Sequence, residues 1–344
     1  MRLLSASVVT ATACLWLVAA SCEQEGIVVY CSLDEPYSGP ILAAFERDTG
    51  IRVQTRYDTE ADKTVGLAYR LIEERRRPRA DVFWNSEVVQ TIRLARKDAL
   101  SPYVSSARKE IPPSFHGRDE LWTGFAARVR VLIYNTDLVS DVEAPRSIAD
   151  LASPRWRGQA TMARPFAGTT STHAGALWAR LGAARAKTFF RGLKENDVHL
   201  AHGNAHVRDL VVRGAFAIGV TDTDDAHEAI RRGDPIRIVF PDQEAGFPGL
   251  AEPLGAFFIP NTVALVAGGP NPERARKLID YLLSEKVETD LSKSGSAQIP
   301  VRTTLDAPEG LGVPKDLHVM AVNYEDAERA LADAEPFLRE LFLR

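Results

Sequence analysis

Five places in this sequence carry residues whose types and spacing suit the capture of a charged small molecule. The run Gly168-Thr169-Thr170-Ser171-Thr172 follows an apolar strand and opens a helix. A helix start leaves backbone N–H groups without partners and carries the positive end of the macrodipole, so a phosphate, carbonate or carboxylate is favoured there. Gly168 would let a ligand approach the backbone, and the hydroxyls would add donors; the same hydroxyls could merely cap their own helix. Gly203 and Asn204, ahead of a second short helix, offer a similar cradle, with His206 a capping side chain. Arg128 and Arg130 alternate along an extended segment and so face one way. A guanidinium there could clamp an anion through two parallel hydrogen bonds or pair with a carboxylate. Asp34 and Glu87 follow apolar strands at their carboxyl ends, where open α/β sheets bind ligands, although both could cap helices instead.

The fifth place has the opposite sign. Asp222, Asp224 and Asp225 crowd one loop and offer hard oxygens to a cation. If all three faced an anionic ligand, each like-charge pair at ~4 Å would cost about 4 kcal/mol at an effective dielectric near 20. Two arrangements avoid this. Either the ligand carries both charges, as a zwitterion or a metal with its anion, or the aspartates cap the helix at 225–232 and face away.

The elements that must position these residues alternate. Strand patterns at 27–31, 51–57 and 80–84 interleave with helical patterns at 40–48, 62–75 and 87–97, which predicts a parallel sheet covered on both faces. A long extended segment at 129–134 leads into a second series. Its helices fall at 172–181, 186–195, 207–213 and 225–232, and its strands end at Met162, Val220 and Phe240. Extended stretches at 255–260 and 263–266, helices at 272–284 and 287–293, and an apolar helical region from the 320s close the chain.

The chain has 344 residues and a formal charge of −4, with Lys and Arg dispersed. More than one core is expected at that length, and no basic stripe or zinc spacing supports nucleic-acid binding. Met1 and Arg2 precede an uncharged apolar run that ends in Val18-Ala19-Ala20-Ser21-Cys22. The run is short for a membrane span and reads as a signal peptide over 1–21, with a tether at 22–26. Its end resembles a bacterial lipobox, which makes Cys22 a lipidation site and places the protein on the periplasmic or outer side of a bacterial membrane. Cys14 would leave with the signal, and Cys31, alone on an apolar strand, reads as a buried thiol. No nucleophile elbow, paired-His metal motif or nucleotide fingerprint is present, so an enzyme is not expected, nor is a cofactor.

Several phrases, in order, resemble the periplasmic ferric-binding proteins and related type II solute-binding proteins of ABC importers. They are Val28-Val29-Tyr30-Cys31-Ser32, Ala43-Ala44-Phe45-Glu46-Arg47-Asp48-Thr49-Gly50-Ile51-Arg52-Val53, Ala80-Asp81-Val82-Phe83-Trp84, Arg128-Val129-Arg130-Val131-Leu132-Ile133-Tyr134-Asn135, and the helix that begins Asn271-Pro272-Glu273-Arg274. The resemblance implies an α/β type II periplasmic-binding-protein fold. Its two lobes would divide as 27–127, 128–252 and a return at 253–344, with a ligand cleft between lobes joined by strands near 125–130 and 253–257. It further implies a monomer that hands a small molecule or ion to an ABC permease; a ligand sensor for a membrane receptor is the alternative. Arg128 and Arg130 stand where the family carries arginines at the crossing, and Glu87 stands near an acidic ligand of the ferric-binding members. The adjacent tyrosines of those members are missing from the 220–225 loop, which puts iron in doubt. A metal ion would enter only as the ligand.

Overall fold

The computed structural model describes residues 26–58, 65–244 and 246–343. The expected signal peptide, Cys14 and Cys22 lie outside the described residues, as does the start of the helix expected at 62.

β1 (Ile27–Cys31), α1 (Glu35–Thr49), β2 (Val53–Tyr57), α2 (Gly66–Glu73), β3 (Val82–Asn85) and α3 (Val89–Ala95) alternate as their apolar patterns demand, and β1 lies parallel between β2 and β3. A short β4 (Leu100–Ser101) follows, and then β5 (Thr123–Asn135), a strand buried along its whole length except at Arg128. Such a run, apolar on both faces, belongs to a strand covered on both sides.

The second series is β6 (Ala160–Ala163), α4 (Gly168–Leu181), α5 (Ala183–Glu195), β7 (His199–Ala201), α6 (Asn204–Val212), β8 (Ile218–Asp222), α7 (Thr223–Arg232) and β9 (Ile236–Val239). The chain then returns through β10 (Phe258–Val266), α8 (Pro272–Leu282), α9 (Glu285–Lys293) and α10 (Tyr324–Leu343).

The strands run in the order β2-β1-β3-β10-β5-β8-β6-β7, with β4 on β10 and β9 on β5. The expected parallel pairing holds within each lobe, where β6 lies parallel to β7 and β8. Pairing is antiparallel at β10, β5, β8 and β9, because β5 and β10 are the strands that carry the chain across. The first part of β5 bonds to β10 and its second part to β8 and β9, so one strand serves two sheets. The two extended stretches expected at 255–260 and 263–266 are one strand. Pro260 is accommodated by a register break between Pro260 and Asn261, where a missing N–H costs no ladder bond.

Several of the expected helices begin earlier than their apolar periodicity suggested, and two of these starts shape the site. α4 starts at Gly168 and α6 at Asn204, so the polar runs are the first turns of the helices rather than loops before them. α10 starts in the first lobe, where Tyr324 donates to the carbonyl of Phe258 at 3.1 Å, and then runs along α4, with Trp178 against Phe337 at 5.7 Å between ring centroids. The close approach of the two helices requires Gly175. A β-carbon there would lie 2.4 Å from the carbonyl oxygen of Ala327.

Candidate functional site

The expected binding residues converge where β5 leaves one sheet for the other. Arg130 and Asp222 are opposite partners in the β5–β8 ladder, and their side chains meet at 2.6 Å from Nη1 to Oδ1. The second carboxylate oxygen of Asp222 accepts from Thr169 Oγ1 at 2.8 Å and from Asn204 Nδ2 at 3.0 Å. Asn204 also donates to Thr169 Oγ1 at 2.7 Å and accepts from Arg130 at 3.0 Å and Thr170 at 3.3 Å. Helix starts α4 and α6, the end of β8 and the middle of β5 are thereby tied into one polar knot. Asp222 has no solvent exposure and Arg130 has 1%.

Asp222 follows neither of the two arrangements set out above. It occupies the N-cap position of α7 but makes no side-chain capping bond. It turns inward, and the protein's own arginines neutralise it. Arg128 Nη1 lies 3.4 Å from Asp222 and 3.6 Å from Asp224, and Arg208 lies 3.9 Å from Asp225. The carboxylates of Asp222, Asp224 and Asp225 come within 4.8 Å of one another, a spacing that would suit a cation. Three guanidinium groups already oppose them. Burial, reinforced by Asp224 and Asp222, raises the Asp225 carboxyl well above the usual range. Burial alone would lower Arg128, but Asp224, Asp222, Asp225 and Asp34 outweigh it and hold the guanidinium charged.

Two side-chain contacts join the lobes at this seam. Arg128 Nη2 donates to the carbonyl of Ser86 at 2.5 Å, and Thr172 Oγ1 donates to Glu87 at 3.1 Å. Glu87 also accepts from the N–H groups of Val89 and Gln90 at 2.7 and 2.8 Å, so it caps α3 and touches the opposite lobe at once. Burial raises its carboxyl, and these donors offset part of the rise.

Two cavities open at the carboxyl ends of the first lobe's strands. One, of ≈ 380 Å³, lies between the first lobe and the start of α4, with Glu87, Gln90, Arg93, Gly168, Ser171 and Thr172 among its lining. Gly168 is exposed there at φ +55°, a conformation that favours glycine, and no side chain caps the helix. The other, of ≈ 390 Å³, sits at the carboxyl ends of β1 and β2, with Ser32, Asp34, Tyr37, Tyr57 and Asp58 in its wall.

The ten expected ligand contacts therefore divide. Thr169, Thr170, Asn204 and Asp222 join in the buried knot; Gly168, Ser171 and Glu87 line the first cavity, Asp34 lines the second, and Arg128 spans the seam. Gly203 is only the extended N-cap of α6, at φ −167°. Arg93 and Gln90 in the first cavity went unanticipated, as did Tyr57 and Asp58 in the second. Tyr57 ends β2 and Asp58 follows it, and strand position alone could have marked them. His206 accepts from the amide of His202 at 3.4 Å. His173 is buried and stacked on Phe257, with its pKa well below the ordinary value through burial and then Arg130.

The sequence profile described as "Bacterial extracellular solute-binding protein" matches residues 80–329. The chain belongs to this family. Among relatives of this solute-binding protein, the Fe(3+)-binding periplasmic protein of Serratia marcescens is 28% identical over 202 residues, which span 59% of this chain and 58% of that protein. A Salmonella typhi periplasmic protein provisionally named for 2-aminoethylphosphonate binding is 26% identical over 315 residues, 89% of this chain and 86% of that one. Iron-bound HitA from Pseudomonas aeruginosa superposes with a TM-score of 0.79 at 23% identity, covering 92% of this chain and 99% of that structure. That likeness establishes the two-lobed fold and leaves the ligand open.

Proposed function

We propose that this protein captures a small organic solute bearing an anionic group, such as a phosphonate, phosphate ester or carboxylate, alone or within a zwitterion. It then presents the solute to an ABC permease. The lobes are 27–127 with 253–344, and 128–252. The protein works as a monomer, without a catalytic step, held at the outer side of a bacterial membrane by lipid on Cys22.

The observation that carries this reading is the ≈ 380 Å³ cavity at the uncapped start of α4, faced from the other lobe by Gln90, Arg93 and Glu87. Helix N–H groups supply the anion's partners, and the first lobe supplies a wall that closes on it. In the second cavity, the acidic wall at Asp34 and Asp58 suits an ammonium group. Iron, the cargo named for the Serratia relative, fits less well. The 220–225 loop carries no tyrosine, and its three carboxylates already face guanidinium groups.

A thermal-shift series over 2-aminoethylphosphonate, alkyl phosphonates, sugar phosphates, carboxylates and ferric citrate tests the proposal. Saturating solute raises the midpoint by mass action. An organic anion that stabilises while ferric citrate does not is the expected result. Stabilisation by ferric citrate alone, with a visible charge-transfer band, would sink it.

A further inference from the structure

The buried knot has the composition of an anion site, yet its anion is part of the chain. From two helix starts and from β5, the hydroxyl of Thr169, the amide of Asn204 and the guanidinium of Arg130 all address one carboxylate, that of Asp222. A second observation shows donor capacity in excess of that carboxylate. Nε and Nη2 of Arg130 are buried and without a hydrogen-bond partner, on a residue only 1% exposed. A buried guanidinium with two idle donors is costly unless charge compensation holds it there. Both helix starts are open at their ends: a β-carbon at Gly168 or at Gly203 would meet nothing within 4 Å.

We infer that Asp222 is the resident occupant of an anion cradle formed by Thr169, Asn204 and Arg130, and that it shuts free small anions out of that cradle. The division of α4 follows from this. Thr169 turns inward to the resident carboxylate and Thr170 to Asn204, which leaves Gly168, Ser171 and Thr172 to meet a solute in the outer cavity. Asp222 is thus a specificity-determining residue: it sets which face of the helix start is available. The inference rests on the knot and is independent of the solute's class.

Removal of the occupant should convert the cradle into a site for a free anion. Formate is the probe, because it matches the carboxylate that Asp222→Ala deletes. In the Asp222→Ala protein, formate should raise the thermal midpoint saturably by roughly 2–4 °C beyond sodium chloride at equal ionic strength. The wild-type protein, whose outer cavity stays open to carboxylates, should gain less than the Asp222→Ala protein, and that difference is the readout. Adding Thr169→Val to Asp222→Ala removes one charge-assisted donor and should raise the half-saturating formate concentration about tenfold. If Asp222→Ala does not remain folded, refolding yield becomes the readout, with formate expected to restore what chloride does not. A formate gain no larger in Asp222→Ala than in wild type, or equal yields in formate and chloride, would overturn the inference. The solute series uses the wild-type protein, so its outcome stands apart from this one.

Discussion

Gly175→Ala separates two opposed effects whose sizes can be set against each other. In an unencumbered helix, alanine for glycine gains about 1 kcal/mol. In α4 the new methyl would stand 2.4 Å from the Ala327 carbonyl oxygen and 2.9 Å from the Leu331 β-carbon, both fixed to the frame of α10. Favourable carbon contacts begin near ~3.5 Å, so α10 must retreat by about 1 Å. Overpacking of this kind costs typically 1–3 kcal/mol, and the upper end applies because backbone rather than a flexible side chain is struck. The balance is a loss of roughly 1–2 kcal/mol, read as a lower urea midpoint at unchanged slope. Gly39→Ala is the control. Its β-carbon meets Glu35 and Tyr57 atoms at 3.6 and 3.7 Å, ordinary contact, and the variant should gain up to about 1 kcal/mol. A Gly175→Ala protein as stable as Gly39→Ala would refute the placement of α10 on α4.

Arg128→Lys replaces a fork that reaches the Ser86 carbonyl and Asp222 together with a single ammonium that reaches one of them. The closed form should lose about 1.5–3 kcal/mol, seen as a roughly 10- to 100-fold weaker response to the confirmed solute; an unchanged titration would contradict the seam. Burial pushes the Asp242 carboxyl up to about 6, against the donors Ser147 and Ile148. Because the folded pKa exceeds the unfolded value of about 3.9, this contribution is full below pH ~4 and lost as pH rises through 6, some 2–3 kcal/mol in all. Urea midpoints of wild type relative to Asp242→Asn should therefore fall between pH 4 and 7, and parallel curves would count against it. Cys22→Ala should move the protein from the membrane fraction to the soluble one, and an unlipidated N-terminus by intact mass would exclude the anchor.

Period and composition made most of the scaffold readable. The apolar runs at β1, β3 and β5 and the stripes of α1 and α8 are local statements, and each appears where its residues put it. The early starts of α4 and α6 were hidden because Gly168, Thr169, Thr170 and Asn204 lack the apolar period that marks a helix, and only three-dimensional neighbours hold them in the first turn. The period of two placed Arg128 and Arg130 on one face. It could not say that Asp222 would stand opposite Arg130, since that depends on how two strands some 90 residues apart in sequence come into register. The charge conflict at the aspartate loop was therefore visible while its resolution was not.

The path of α10 bears on how the lobes can part. β5 and β10 lie side by side, so bending about them defines a single axis. α10 adds a third tie away from that line: Glu328 holds Arg93 of α3 and Arg96 just past its end at 3.4 and 2.8 Å, while further along the helix meets α4 and α5, where Lys194 donates to the carbonyl of Leu341 at 2.5 Å. Three attachments off one line leave a rigid pair of bodies no axis to turn on, so opening requires one of them to yield. The α4 side is close-packed through Gly175 and ringed by Trp178 and Phe337, while the start of the helix is anchored in the first lobe by Tyr324 against Phe115 and Trp122 and, at Glu328, by ion pairs whose arginines are 35% and 43% exposed. Mobile ions weaken the ion pairs and not the packed contacts. Any parting of the lobes must therefore bend α10 or free one of its ends, and salt should loosen only the Glu328 pairs.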